Sequence, residues 1–318
     1  SQGDPQGERE LRRALVGYCL TSRGVVASPD RIVVASGTQQ LLASLCRVLG
    51  RGGRAAIETP GFIQGERIFS DFGWNIKKID RDNGTLKDRL ENLDCELFAD
   101  ITSNMPQTSL SNLARRRTAL LAWAEQKKKY ILEDDYNGEL RYVSRTVPAL
   151  QGKSPERVIY IGSFSRLLLP SVRIAYMVLP SELAKRAASD IQLYNQTSSK
   201  IEQLALAEYI TVGCLERHIK RSRKIYKAKA AEILSALSSV FGEGVLASLY
   251  ETSISVSITL KLPISEEAAA AAALEHGIAV ERISHTDGGK TKVSLSFSGI
   301  AFDKIRPGIE KLKEAWKI

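Results

Sequence analysis

The chain has 318 residues, 43% of them hydrophobic and 25% charged, enough to bury the core of one large domain or two ordinary ones. Its 45 Lys and Arg against 36 Asp and Glu leave a net charge of +9, which suits a polyanionic partner without requiring one. No apolar run approaches the roughly 20 residues of a membrane span, and three histidines exclude a histidine-rich metal site.

Short apolar runs rich in β-branched residues alternate with amphipathic stretches over the first 180 residues. The predicted strands are Arg31–Ala35, Ala55–Ile57, Asn75–Ile79, Leu97–Thr102, Tyr130–Asp134, Val158–Gly162 and Ile174–Leu179. The predicted helices between them include Thr38–Leu49, Gly65–Phe72 and Leu113–Lys127, whose apolar residues recur at three and four. Strands without polar alternation, separated by helices, indicate a mostly parallel α/β sheet covered on both faces.

From Ser181 to Phe241 the pattern is almost wholly helical and includes the basic stretch Glu216–Lys229. Leu215, Ile219, Ile225 and Tyr226 give that stretch one buried stripe, so its charges read first as a solvated outer face rather than a DNA-binding surface. A predicted strand at Ser253–Leu260 follows, then a helix at Glu266–His276 with Ser265 as N-cap and Gly277 as its stop. Strands at Ile278–Ile283 and Lys292–Phe297 and a closing helix at Asp303–Trp316 complete a smaller α+β unit. The expected division is a large domain at 1–195, a helical linker at 196–214 and a small domain at 215–318. The four cysteines, Cys19, Cys46, Cys95 and Cys214, form no CxxC pair and read as reduced core thiols of a cytoplasmic protein.

Two places stand out chemically. Gly37-Thr38-Gln39 follows a strand and opens a helix, so free backbone N–H groups there suit a phosphate, or the segment is an ordinary strand-to-helix turn. Asp134 ends the run Tyr130–Leu132 at the carboxyl end of a predicted parallel strand, where ligands of α/β sheets gather. A capping Asp134 and a half-buried Tyr136 are the plain alternatives.

Six segments, in order and nearly end to end, resemble the aminotransferase-like domain of MocR-type members of the GntR family of transcription regulators. They are GDPQGERELRRAL (Gly3–Leu15), SRGVVASPDRIVVASGTQQLL (Ser22–Leu42), ETPGF (Glu58–Phe62), EDDYNGELRY (Glu133–Tyr142), RVIYIGSFSRLLLPSVRIAYMVLP (Arg157–Pro180) and ERHIKRSRKIY (Glu216–Tyr226). The resemblance implies a fold-type-I architecture and a pyridoxal-phosphate pocket. Asp134 would pair with the pyridine nitrogen, Tyr136 with the ring hydroxyl, and Ser163, Ser165 and Arg173 would surround the phosphate with Gly37, Thr38 and Gln39. It also implies a homodimer with Gly3–Leu15 near the partner, and DNA read by an N-terminal helix-turn-helix domain that this chain lacks.

The departures from that pattern are chemical. The family's Schiff-base lysine is matched by Arg166, and an arginine stays protonated and forms no such bond. Ser294 stands where the family carries an arginine for the substrate carboxylate, Ser103-Asn104-Met105-Pro106 replaces a His-Gln-aromatic-Pro stretch, and Phe62 replaces a stacking Tyr. Loss at several positions together fits natural divergence better than one engineered trap. The expectation is therefore a catalytically inactive, effector-binding and dimerising regulator domain, not an enzyme, sensing a small anionic ligand. Pyridoxal phosphate would be held only non-covalently, among residues that include Arg166. The alternatives are an aminotransferase with a mutated or replaced lysine, a module that keeps the fold only for dimerisation, and a pocket that Arg166 closes by pairing with Asp134 or a neighbouring carboxylate.

Overall fold

The computed structural model describes the chain apart from residues 1–2, 60–61, 81–84, 102–109, 136–137, 143–146, 250–253, 262, 284–290 and 318, and apart from the side chains of 110 and 111. It divides into two compact units, residues 1–139 with 146–218, and residues 140–145 with 219–318.

In the larger unit, helix α1 (Arg9–Arg23) buries Leu11, Leu15, Tyr18 and Cys19 on one face and stops at Gly24, whose left-handed backbone returns its N–H to Cys19 and Leu20. Strand β1 (Ile32–Ala35) leads into α2 (Thr38–Leu49). Then follow β2 (Arg54–Thr59), α3 (Ile63–Asp71), β3 (Asn75–Asp80), α4 (Leu86–Glu91) and β4 (Leu97–Asp100). Next come α5 (Leu110–Lys127), β5 (Tyr130–Asp134), β6 (Val158–Ser163), β7 (Ala175–Val178), α6 (Ser181–Ile191) and α7 (Lys200–Thr211).

The seven strands form one sheet in the order β1-β7-β6-β5-β4-β2-β3. All run parallel except β7, which is antiparallel to β1 and β6. The link from β6 to β7 contains no crossover helix, and only an antiparallel return is open to so direct a connection. The edge strand β3 keeps Lys77 and Lys78 exposed, which discourages pairing with another chain.

Side chains alternate across this sheet. Val33, Ala35, Ala55, Ile57, Leu97, Ala99, Leu132, Ile159 and Ile161 join a core with Leu41, Leu42 and Leu45 of α2 and Leu183, Ala187 and Ile191 of α6. Ala56, Phe98, Ile131 and Val158 face the other way, toward Leu86 and Leu90 of α4 and Leu120, Trp123 and Ala124 of α5. The predicted strands of this unit are all present. Residues 196–214, read from the sequence as a linker, contain α7, which packs on α1 within the larger unit.

In the smaller unit, α8 (Cys214–Phe241) leads into β8 (Val245–Leu249), β9 (Ser255–Leu260), α9 (Glu266–Glu275), β10 (Glu281–Arg282), β11 (Lys292–Ser296) and α10 (Ile305–Trp316). The strands pair antiparallel in the order β10-β11-β9-β8. Ile233 and Leu237, Ala269 and Ala273, and Ile309, Leu312 and Trp316 of the three helices cover one face of them. Two expectations change. The strand expected at Ile278–Ile283 is only Glu281–Arg282, and β8 is a further strand whose Leu246 and Ser248 stay exposed at the sheet edge.

Candidate functional site at the carboxyl edge of the main sheet

The alternation of β5 separates its last acidic residues. Asp134 lies two residues past Leu132, on the face covered by α2 and α6, whereas Glu133 and Asp135 share the parity of Ile131 and turn to the other face. On that other face both have partners. Glu133 accepts the N–H groups of Leu150 (2.8 Å) and Gln151 (3.1 Å), and Asp135 Oδ2 accepts from Arg23 Nε (2.5 Å) and Tyr160 OH (3.0 Å). Asp134 is buried and makes no hydrogen bond or ion pair among the described residues. Burial first, then the negative charge of Asp135, pushes its carboxyl up to about 7.

Ser163 lies two residues past Ile161 on the same face, and Gly37 lies just past the end of β1. Gly37 is the N-cap of α2 with φ of +100°, and no side chain caps the helix. The N–H groups of Thr38, Gln39 and Gln40 therefore open the first turn without a partner among the described residues, at the positive end of the helix dipole. The Arg173 guanidinium lies against this turn: a Cβ on Gly37 would come within 2.6 Å of Nη2. Ser165 donates its N–H to Ser163 Oγ (3.3 Å) and its hydroxyl to Val172 O (3.3 Å), so the segment between β6 and β7 folds back over the strand ends. Arg166 is exposed on that segment, and it is not bonded to Asp134. The direct pairing of Arg166 with Asp134 is therefore absent.

Phe62 precedes α3, packs against the main core, and lays its ring over Gly65, where any Cβ would collide with it. Tyr136 and Ser103-Asn104-Met105-Pro106 lie outside the described residues. Ser294 is on β11 of the smaller unit, paired in register with Ser257 and Glu281. Sequence reading brought together Gly37, Thr38, Gln39, Asp134, Ser163, Ser165 and Arg173 at one edge of one sheet. It missed a polar brace behind them. Ser36 N–H donates to Thr197 Oγ1 (3.0 Å), Ser198 Oγ donates to Arg173 O (3.4 Å), and Gln196 Nε2 bonds the carbonyls of Pro5 (3.1 Å) and Val34 (3.2 Å). The polar run Gln196-Thr197-Ser198-Ser199, interrupting a helical pattern, was the signal available for it.

An uncapped helix start, an arginine beside it and a buried carboxylate without a partner among the described residues share one sheet face, an arrangement with the chemistry to accept an anion and, apart from it, a cation. Residues 1–296 match the family model described as aminotransferase class I and II. The chain belongs to that family. Solved aminotransferases share its fold: a Pyrococcus horikoshii kynurenine aminotransferase, solved with PMP, superposes with a TM-score of 0.80 at 27% identity, covering 100% of this chain and 82% of that one. Several sequence relatives bear regulator names, and one, at 27% identity over 99% of this chain, is named aromatic-amino-acid aminotransferase 1 of Thermococcus litoralis. The uncharacterized HTH-type transcriptional regulator YhdI of Bacillus subtilis is 38% identical over 321 residues, 99% of this chain and 68% of the relative. The HTH-type pyridoxine biosynthesis transcriptional regulator PdxR of Corynebacterium glutamicum is 31% identical over 232 residues, 73% of this chain and 51% of the relative.

The residues present fit the phosphate and ring nitrogen of pyridoxal phosphate, the cofactor associated with this fold. The phosphate would meet the α2 N–H groups, Arg173 and Ser163, and a protonated pyridine nitrogen would satisfy Asp134. No helix among the described residues is long and apolar enough to cross a membrane. All four cysteines are free; Cys19, Cys46 and Cys95 are buried, and Cys214 is half-buried. Among the described residues, no group of three or more His, Cys, Asp or Glu is arranged to hold a metal.

Proposed function

We propose that this chain is the effector-binding and self-associating part of an HTH-type transcription regulator of the MocR kind, catalytically inactive. Its ligand is pyridoxal phosphate, or a related anion with a phosphate and a basic ring nitrogen, held without a covalent bond. One observation carries the reading: Asp134 is buried, unpaired and raised to about 7 in the same half-site as an uncapped helix start. An unpaired buried carboxylate costs stability, and a bound cation repays it.

In catalytic members of the fold, pyridoxal phosphate acts as an electron sink for amino-acid chemistry. Here Arg166 offers no neutral amine, so neither covalent attachment nor proton transfer by a lysine is available at that position. What the chain's residues do is bind and orient. The α2 N–H groups and Arg173 fix the anion, Asp134 selects a protonated nitrogen, and Phe62, locked over Gly65, offers an aromatic face. The name of the relative PdxR, a regulator of pyridoxine biosynthesis, supports a ligand of the pyridoxal class. DNA is read by a helix-turn-helix domain outside this chain, and the protein works in the cytoplasm as a homodimer. Exposed Leu193, Ile201, Leu204 and Val212, on and beside α7, support a self-association face.

Calorimetric titration with pyridoxal phosphate and with inorganic phosphate tests the reading on wild type, Arg173→Ala and Asp134→Asn. Both ligands should bind, Arg173→Ala should weaken both, and Asp134→Asn should weaken only pyridoxal phosphate. Absence of heat with wild type, or turnover of an amino donor, overturns it.

A further inference from the structure

Helix α8 carries a charge pattern that the ligand site does not use. Within its smaller-unit portion, Ile219, Ala230, Ile233, Ala236 and Leu237 are buried, with Tyr226 packed beside them. Lys229, half-buried, donates to Ser298 O (2.8 Å). On the opposite side Lys220, Arg221, Lys224 and Lys227 are all exposed. At 100° per residue these four fall within an arc of about 120° and span about 10 Å of helix axis. No acidic residue lies between Glu216 and Glu232, and Glu232 is paired with Arg306 (3.3 Å). Arg221, Lys224 and Lys227 take part in no ion pair or hydrogen bond among the described residues. A solvated surface helix ordinarily interleaves charges of both signs at i,i+4; from Arg221 to Lys227 this one keeps a single sign.

We infer that this face of α8 binds the sugar-phosphate backbone of double-stranded DNA, as a sequence-independent contact beside the specific one made by a helix-turn-helix domain. The choice of DNA rests on the regulator reading proposed above, and the electrostatics fit it. Duplex DNA presents one negative charge per roughly 1.7 Å of axis, so the stripe of Arg221, Lys224 and Lys227, about 9 Å long, meets several phosphates. Phosphate contacts position a protein without reading bases, which suits a lysine-rich helix with one interleaved apolar side chain, the exposed Ile225. Tethered to an operator by its reader domain, such a stripe acts at high effective concentration, so weak affinity in isolation suffices.

The test uses this chain and a 40-base-pair duplex of arbitrary sequence, read by fluorescence anisotropy from 20 to 200 mM salt. Wild type should bind at low salt with log affinity falling against log salt at a slope of about −3 to −4, as expected for three to four phosphate contacts. The triple variant Arg221→Glu, Lys224→Glu, Lys227→Glu should lose at least tenfold in affinity and flatten that slope. Its circular dichroism and its pyridoxal phosphate binding should stay unchanged, because all three side chains are exposed. No binding by wild type at 20 mM salt, or equal binding by the triple variant, overturns the inference. So does tighter binding of wild type to phosphatidylglycerol vesicles than to the duplex. Pyridoxal phosphate titration reports separately on the regulator reading, so the two can fail independently.

Discussion

Arg23 and Asp135 stand 112 residues apart in sequence and form a buried ion pair, Nε to Oδ2 at 2.5 Å, with side chains 6% and 2% exposed. Tyr160 OH also donates to Asp135 Oδ2 (3.0 Å), and Arg23 Nη1 donates to Val147 O (2.9 Å). Burial disfavours the guanidinium charge, yet the carboxylate of Asp135 holds Arg23 above its usual range. The pair fixes α1 to the end of β5 and neutralises one of two adjacent acids, leaving Asp134 as the acid available to a ligand.

Arg23→Met should therefore destabilise the chain by about 3–5 kcal/mol, because it leaves the Asp135 carboxylate buried without its cation. Asp135→Asn should cost less, since an amide still accepts from Arg23. Urea unfolding of both variants checks the order; equal losses would mean that the pair matters only through packing.

Asp134 gives a pH signature of the opposite kind. Its folded pKa, raised to about 7 from the ordinary 3.8, means that the folded state holds a proton the unfolded chain has released. Stability contributed at low pH is therefore lost as pH rises from about 4 through about 7. Asp134→Asn should leave ligand-free stability unchanged at pH 4 and raise it at pH 8 by about 1–3 kcal/mol, several degrees in Tm. Glu133 and Glu139 are also raised to about 7, so the wild-type minus variant difference across pH is the quantity to measure. A difference that does not grow with pH would contradict the buried, unpaired assignment.

The strands of the main sheet are legible because they are buried on both faces and read as unbroken apolar runs, such as Ile32–Ala35 and Val158–Ser163. Strand β8 is not legible, since its Val-Leu-Ala-Ser-Leu sits at an edge with only Val245 buried. Asp134 is legible as a strand-end acid, but its difference from Asp135 needs the register of β5 against the two helical layers. The brace through Gln196 and Thr197 depends on contacts over 160 residues away, and that of Ser198 on Arg173 in the β6–β7 link, which no local pattern encodes.

Gly37→Ala separates backbone strain from ligand binding. Gly37 and Gly50 have φ near +100°, so an alanine at either should cost about 1–2 kcal/mol. Only at Gly37 does the added Cβ meet a neighbour, Arg173, within 4 Å; around Gly50 the space is open. Gly37→Ala should weaken phosphate binding at least tenfold, whereas Gly50→Ala should match its stability loss with binding unchanged. Equal binding by both variants would remove Arg173 and the α2 turn from the site.

Arg166→Lys probes whether the rest of the pocket survives. Wild type with pyridoxal phosphate should lose all cofactor on dialysis and show no borohydride-fixed product, because a protonated guanidinium does not attack an aldehyde. The lysine variant should retain cofactor through dialysis and become fixable, with visible absorbance, if Asp134 and the α2 turn still orient the ring beside position 166. Turnover of amino donors should nevertheless remain absent or very slow. Ser294 supplies no guanidinium for a substrate carboxylate, and charge-assisted hydrogen bonds of that kind contribute about 1.5–3 kcal/mol. Brisk transamination by the single variant would show that one residue alone separates this chain from an enzyme. Failure to retain cofactor, alongside reversible binding by wild type, would place position 166 away from the ring.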